Sequence, residues 1–492
     1  MNESDINPKK LRIAIIGAGM AGILAAIRLH REQKHEVVVY EKADRIGGTW
    51  RDNVYPGLTC DVPAHAYTYE FAPNPEWSAY LSGGEEILAY FEKTVDNFNI
   101  RSLINFNSEI IRLEWKQNTW EIELRDGRLD KANVIIAATG VLHHPKIPKI
   151  NGLESFSGRV MHTARWDNSF NLDGKRIGII GNGSTGIQMV SALGAAGHQI
   201  VHFQRTPQWI MHYPNSVYSD ADIANFRQSR EAIDAVRYEQ SYLDNVRRFT
   251  TAIVNPHSEE MHQIEAYCLA NLEQSITDPI LREKLRPNYR AACKRLIFSP
   301  NYYLIAQRPN VKTIFCGINT VLSQAIRDSE NQLHALDIIA LATGFHTDRF
   351  VRPISIKGLN DKDIESSWQE RCAAYYAISI PDFPNLFLLN GPSSPVGNFS
   401  LIDVVERQWN YVSHLLDHLM ATRAVGLCAS HRAMEDYEKR RIEAAKSSIF
   451  GSGCSSWYLD KTGVPFTWPW DYAAFDAAMK KPDLLAYDLI RG

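Results

Sequence analysis

Gly17-Ala18-Gly19-Met20-Ala21-Gly22 follows an apolar run over residues 11–16 and opens an apolar-periodic stretch that continues to about Arg31. A second apolar run, 37–40, then ends in Glu41. Periodicity of this kind predicts strand, tight turn, helix and strand, the opening of a parallel α/β sheet. Gly17 permits the turn, Gly19 lets the backbone approach a pyrophosphate, and Gly22 permits close helix–strand packing, while the helix N-terminus faces the anion. Glu41 stands about 24 residues after Gly17, where a carboxylate accepts hydrogen bonds from both ribose hydroxyls and repels a 2′-phosphate.

The same pattern recurs once. Residues 176–180 read as a strand, Gly181-Asn182-Gly183-Ser184-Thr185-Gly186 as the turn and helix start, and 200–203 as the next strand, ending at Arg205 and Thr206. A guanidinium now stands where the first unit has its acid, which is what a 2′-phosphate requires. Two sites of opposite preference predict two nucleotides, FAD in the first and NADPH in the second, with electrons passing between them.

The rest of the chain is arranged around these units. Short β segments are expected over 101–139, and the Pro-rich 144–148 marks a boundary. A charged, glycine-free, helix-prone insertion spans about 215–290. The apolar run 337–342 before Thr343-Gly344 repeats the run that ends at Thr139-Gly140, and it reads as the chain's return to the first domain. The expected fold class is α/β, with two Rossmann-like dinucleotide-binding domains and a helical insertion. Residues 1–150 form the first part of the FAD domain, 151–334 the NADPH domain with its insertion, and 335–492 the second part of the FAD domain with a C-terminal loop region.

Composition narrows the class. The 492 residues fit two to four domains, and 45% apolar with 22% charged residues is ordinary globular usage. A net charge of -3 with no long basic run argues against nucleic acid. No apolar stretch suits a membrane span. The start, MNESDINPKK, has no signal-peptide hydrophobic region, and the segment ahead of residue 11 leaves no room for an extra domain, so a cytoplasmic enzyme is expected. Seven scattered cysteines without C-x-x-C exclude the usual dithiol centre and fit a reducing compartment. Oligomeric state has no sequence signal here.

Between the two units, Phe156-Ser157-Gly158-Arg159-Val160-Met161-His162-Thr163-Ala164-Arg165-Trp166-Asp167 resembles the F-x-G-x-x-x-H-x-x-x-W-[PD] fingerprint of type I Baeyer–Villiger monooxygenases, a flavoprotein family. Gly47-Gly48-Thr49-Trp50, Tyr55-Pro56-Gly57 and Asp61 are similar to that family's second motif. With the glycine motifs the resemblance covers most of residues 10–345. It implies that Gly48, Thr49, Trp50 and Asp61 face the flavin, and that Asp61 orients an active-site arginine. Cys293-Lys294-Arg295 ahead of Tyr302-Tyr303 and Arg308-Pro309-Asn310-Val311 matches the family's arginine segment, so Arg295 is the expected catalytic cation. Lys294 becomes a second contact to the 2′-phosphate. Phe156, Gly158, His162, Trp166 and Asp167 become linker residues, with His162 affecting coupling. Gly391-Pro392 resembles the stretch lining the flavin ring, and Trp457 a C-terminal loop residue near the cofactors.

The implied reaction joins NADPH, O₂ and a small-molecule ketone. A flavin peroxide stabilised by Arg295 inserts one oxygen beside the carbonyl, giving an ester or lactone. A guanidinium suits this role because it stays protonated at any working pH. Oxygenation of a sulfide or amine by a flavin-containing monooxygenase is the alternative, and an NADPH oxidase a third; Trp166-Asp167 and the Arg295–Asp61 pairing favour the ketone. His65, His143 and His144 read as loop residues, and Trp468 and Trp470 as packing residues.

Overall fold

The computed structural model describes residues 10–395, 399–453, 456 and 458–492. The first apolar run becomes the buried strand Arg12–Ile16, the centre of a five-stranded parallel sheet. Its order is Leu386–Leu388, Val134–Ala137, Arg12–Ile16, Glu36–Tyr40 and Ile104–Asn105. Helix Met20–Glu32 leaves the glycine turn with almost every apolar side chain buried. Both faces of these strands are covered, which is why they read as unbroken apolar runs.

A second five-stranded parallel sheet repeats the design. It runs Val311–Ile314, Gln199–Phe203, Arg176–Ile180, Ile338–Leu341 and Arg159–His162, with helix Ser184–Ala195 after its glycine turn. The expected return to the first domain at residue 335 is therefore corrected. Strand Ile338–Leu341 pairs with Arg176–Ile180 and stays in the second sheet. The repeated Ala-Thr-Gly explains the mistake. Ala138 O lies over Gly17 and Ala342 O over Gly181, so the two tripeptides are equivalent parts of two different units. The chain rejoins the first unit's side through Ser355–Lys357, which pairs with Ile110–Lys116, and then enters the first sheet at Leu386–Leu388.

The segments before Val134 form an antiparallel meander, Ile110–Lys116, Thr119–Leu124 and Leu129–Ala132. The insertion contributes five helices between Asp220 and Leu285. It is tied to the first unit by a short ribbon in which Tyr80 N donates to Ser216 O and Leu81 N donates to Asn215 Oδ1. The two crossings between the sheets also pair with one another. Pro145 bridges Phe345, Lys146 N donates to Gly344 O, and His346 N donates to His144 O. Trp468 is buried in the first unit's core, as packing predicts.

Candidate functional site

The two glycine turns are built alike. Gly17 (φ +99°) donates its N–H to Tyr40 O, and Gly181 (φ +111°) donates to Phe203 O. A Cβ on Gly22 would sit 1.8 Å from Gly17 O, and one on Gly186 2.1 Å from Gly181 O, so only glycine lets each helix press on its own turn. Both helix N-termini open onto one cavity of about 1090 Å³. Ser184, at the start of the second helix, and Asn390 line this cavity, and among the described residues Ser184 Oγ and Asn390 Oδ1 are buried without a hydrogen-bond partner. Orphaned buried polar atoms beside two helix N-termini fit polar, phosphate-bearing ligands.

At the ends of their second strands the two units diverge. Glu41 is buried and accepts from Ala18 N, Ala43 N and Arg51 Nη1 at 2.8–3.0 Å. Glu41 also lines the cavity, with about one of its four acceptor sites left unused. Arg205 is exposed at the cavity edge beside Thr206, and Lys294 lies close enough for the two cations to repel. That repulsion adds to burial in lowering the Lys294 pKa. Its ammonium sits 4.5 Å from the Tyr289 ring centroid. Among the described residues neither cation has a carboxylate partner, so the pair is open to an anion.

The second motif bridges the units. Gly47 N donates to Ala18 O, and a Cβ on Gly48 would meet Gly19 Cα at 3.1 Å. Helix Thr49–Asp52 presents Thr49 and Trp50 to the cavity, and Trp50 Nε1 donates to Tyr67 OH. Tyr55 OH donates to Gln188 Oε1 on the second unit's helix, and Gln188 Nε2 donates back to Thr59 O. Gly57 is required there, because a Cβ would lie 2.7 Å from Gln188 O. The segment ends at Asp61.

Asp61 meets Arg295 in a two-pronged ion pair. Arg295 Nη2 donates to both carboxylate oxygens at 2.8 and 2.7 Å, and Nε to one of them at 3.2 Å. Both side chains line the cavity and are only partly exposed, 29% and 17%. The Asp61 charge raises the Arg295 pKa above its ordinary value against the opposing effect of burial. Arg295 sits just before strand Ile297–Ser299, which pairs with Ile210–His212. The neighbouring Tyr-Tyr and Arg-x-Asn-Val segments are scaffolding. Tyr302 OH lies 3.4 Å from His202 Nδ1 behind the second glycine turn, while Arg308 and Asn310 donate to carbonyls at the end of helix Ser184–Ala195.

Other expected residues fall outside the cavity lining. His162 is buried, accepts from Ala164 N through Nδ1 and bonds Gly344 O through Nε2, which ties the fingerprint to the interdomain crossing. Trp166 is core, Phe156 is buried over Gly158, and Asp167 pairs with Arg159 at 3.2 Å. Gly391 packs against Ala377 O and Pro392 is buried beside it, while Asn390 is the residue of that stretch that reaches the cavity. Trp457 lies outside the described residues. His143 and His144 are loop residues, as read, but they do line the cavity, and they bond Phe350 O and Arg352 O. Cys293 is buried beside Lys294. Sequence reasoning missed Gln188 and Tyr67, and it expected the helical insertion to help build the pocket without naming Tyr242, Val246 and Phe249, which line the cavity at helical spacing on helix Gln240–Val254.

Two dinucleotide cradles opening onto one cavity, with a held guanidinium at their junction, define a flavoprotein oxidoreductase. A family model for an NAD(P)-binding Rossmann-like domain matches residues 15–83. The chain is 38% identical to an uncharacterized monooxygenase of Mycobacterium tuberculosis over 97% of this chain and 96% of the relative. It is 36% identical to a Baeyer–Villiger monooxygenase of Streptomyces coelicolor over 100% and 95%. Cyclohexanone monooxygenase from Rhodococcus sp. Phi1 bound to NADP+ superposes with a TM-score of 0.86, at 26% identity, over 99% of this chain and 100% of that one. The chain belongs to the type I Baeyer–Villiger monooxygenase family and is a flavin-dependent monooxygenase.

Proposed function

We propose that the chain uses FAD and NADPH to insert one oxygen atom of O₂ beside a ketone carbonyl, giving an ester or lactone. The observation that carries this reading is the Asp61–Arg295 pair facing the cavity between two nucleotide cradles. When bound, FAD reduced by NADPH supplies the activated oxygen. Gly17, Gly19 and Glu41 would hold the FAD pyrophosphate and ribose, with Thr49, Trp50 and Asn390 lining the same cavity. Gly181, Gly183, Ser184 and Thr185 would hold the NADPH pyrophosphate, and Arg205, Thr206 and Lys294 would take its 2′-phosphate.

Arg295 keeps its proton at any working pH, the more so beside Asp61. Asp61 engages Nε and Nη2, and among the described residues Nη1 has no hydrogen-bond partner. That N–H donates to the oxyanion that develops on the ketone oxygen, where a fixed donor in a dry site is worth most. Asp61 fixes the direction of the guanidinium, and Tyr67, Val246 and Phe249 line the same cavity.

The test is a ketone panel, with a thioether alongside, incubated with holoenzyme, NADPH and labelled O₂. An ester or lactone carrying one labelled oxygen supports the reading. Sulfoxide as the sole product, or hydrogen peroxide equal to NADPH consumed, overturns it. Arg295→Ala is expected to keep FAD and lose ester formation by about 10²- to 10³-fold.

A further inference from the structure

The loop that carries Asp61 is held from outside itself. After Asp61 the chain makes a single tight turn: Ala66 N and Tyr67 N donate to Pro63 O, and Thr68 Oγ1 donates to Ala64 O. The turn does not continue as helix, so its last carbonyls lack backbone donors. His65 and Thr68 are almost fully buried, 0% and 1% exposed, which keeps water from serving them. The donors are side chains from distant segments. Arg237 Nη1 donates to both His65 O and Thr68 O, and Ser400 Oγ donates to Ala66 O.

We propose that Arg237 is a positioning residue for the Asp61–Arg295 pair, clamping the Asp61 loop through the carbonyl oxygens of His65 and Thr68. Arg237 ends helix Arg230–Arg237 of the insertion and is 7% exposed. Its contact with a carboxylate, Glu406 Oε2, is longer, at 3.5 Å. Glu406 is itself occupied by Glu70 N, and burial raises its pKa to about 7. The guanidinium is therefore aimed at the carbonyls first. His65 supplies no competing cation, because burial, reinforced by Arg237, lowers its imidazole to about 4.

The clamped turn also carries Val62, Pro63 and Tyr67 into the cavity. Arg295 arrives on a separate segment, so any slip of the turn changes the pair's geometry. Close after Arg237, helix Gln240–Val254 turns Tyr242, Val246 and Phe249 to the same cavity. One insertion thus supplies both the apolar wall and the clamp.

The inference rests on the reading of Asp61–Arg295 as the oxygenating pair. It is tested with Arg237→Met, Arg237→Lys and Glu406→Gln holoenzymes. Arg237→Met is expected to bind flavin and to be reduced anaerobically by NADPH within about twofold of wild type. The share of NADPH ending as hydrogen peroxide, with an accepted ketone present, should rise about tenfold, from the two buried carbonyls left unpaired. Arg237→Lys should recover most of the coupling, and Glu406→Gln should stay within about twofold of wild type, because the clamp needs no carboxylate. Wild-type coupling in flavin-loaded Arg237→Met, a parallel fall of reduction and coupling, or Glu406→Gln behaving like Arg237→Met would overturn the proposal.

Hydrogen exchange guards against a variant that does not fold. Amides of 61–68 should exchange about tenfold faster in Arg237→Met than in wild type, with Arg237→Lys closer to wild type and the first sheet unchanged in both. Unchanged exchange over 61–68 overturns the clamp. If the wild type makes no ester from any ketone, the functional reading falls, and exchange over 61–68 still decides the clamp.

Discussion

The two nucleotide units share a backbone and differ in charge. Each has a glycine in the left-handed region, a second glycine pressed on the first, and an Ala-Thr-Gly strand end laid over the turn. Beyond that cradle the first unit buries an acid satisfied by Ala18, Ala43 and Arg51, whereas the second leaves Arg205 and Lys294 at the rim without a carboxylate partner among the described residues. The lesson is a division of labour. On the proposed reading, backbone geometry binds what all dinucleotides share, and one side chain at the second strand's end selects which dinucleotide enters.

The largest expected effect tests the shared part. Gly22→Ala and Gly186→Ala place a methyl against a carbonyl at 1.8 and 2.1 Å. Gly22→Ala should weaken flavin binding more than about 100-fold and give colourless protein, while Gly186→Ala should purify yellow and resist reduction by NADPH. Flavin-to-protein absorbance and anaerobic reduction check both. Loss of flavin from Gly186→Ala would break the claim that the cradles serve separate nucleotides.

The selective part predicts a smaller change. Arg205→Ala should raise the NADPH Michaelis constant about 10- to 100-fold and leave the NADH value nearly unchanged. Equal effects on both cofactors would remove the 2′-phosphate from the second rim. The smallest effect is a matter of pH. Lys294 is held below the ordinary lysine value by burial and by Arg205, so it loses its charge earlier as pH rises. NADPH affinity should therefore weaken on the alkaline side before an ordinary lysine would titrate. Arg205→Ala should move that limb to higher pH, because the repelling charge is gone. A limb that stays put would separate Lys294 from Arg205.

Much of this was legible in the chain. Strands 12–16 and 176–180 and their glycine turns follow from apolar runs buried on both faces, which leave strong signals. The Asp61–Arg295 pair joins residues 234 apart in sequence, and only the short motifs around each pointed to the other. The sheet that owns Ile338–Leu341 was not legible, since a doubly buried strand reads the same in either sheet. Arg237 left no trace either. Its partners are backbone carbonyls, which every residue possesses, so no side-chain pattern marks the contact. Gln188 is hidden for a related reason, because a polar residue on a glycine-motif helix looks solvent-facing until another segment docks on it.

The paired crossings at Pro145 and Phe345 have a topological consequence. The chain leaves the first unit and comes back to it at one place, so the second unit is a guest whose two attachment points touch. A host built this way need not be rerouted when its guest is exchanged. The second unit is thus a cassette that carries Arg295 and the helical insertion with it, so the Asp61–Arg295 pair is assembled across the host–guest boundary.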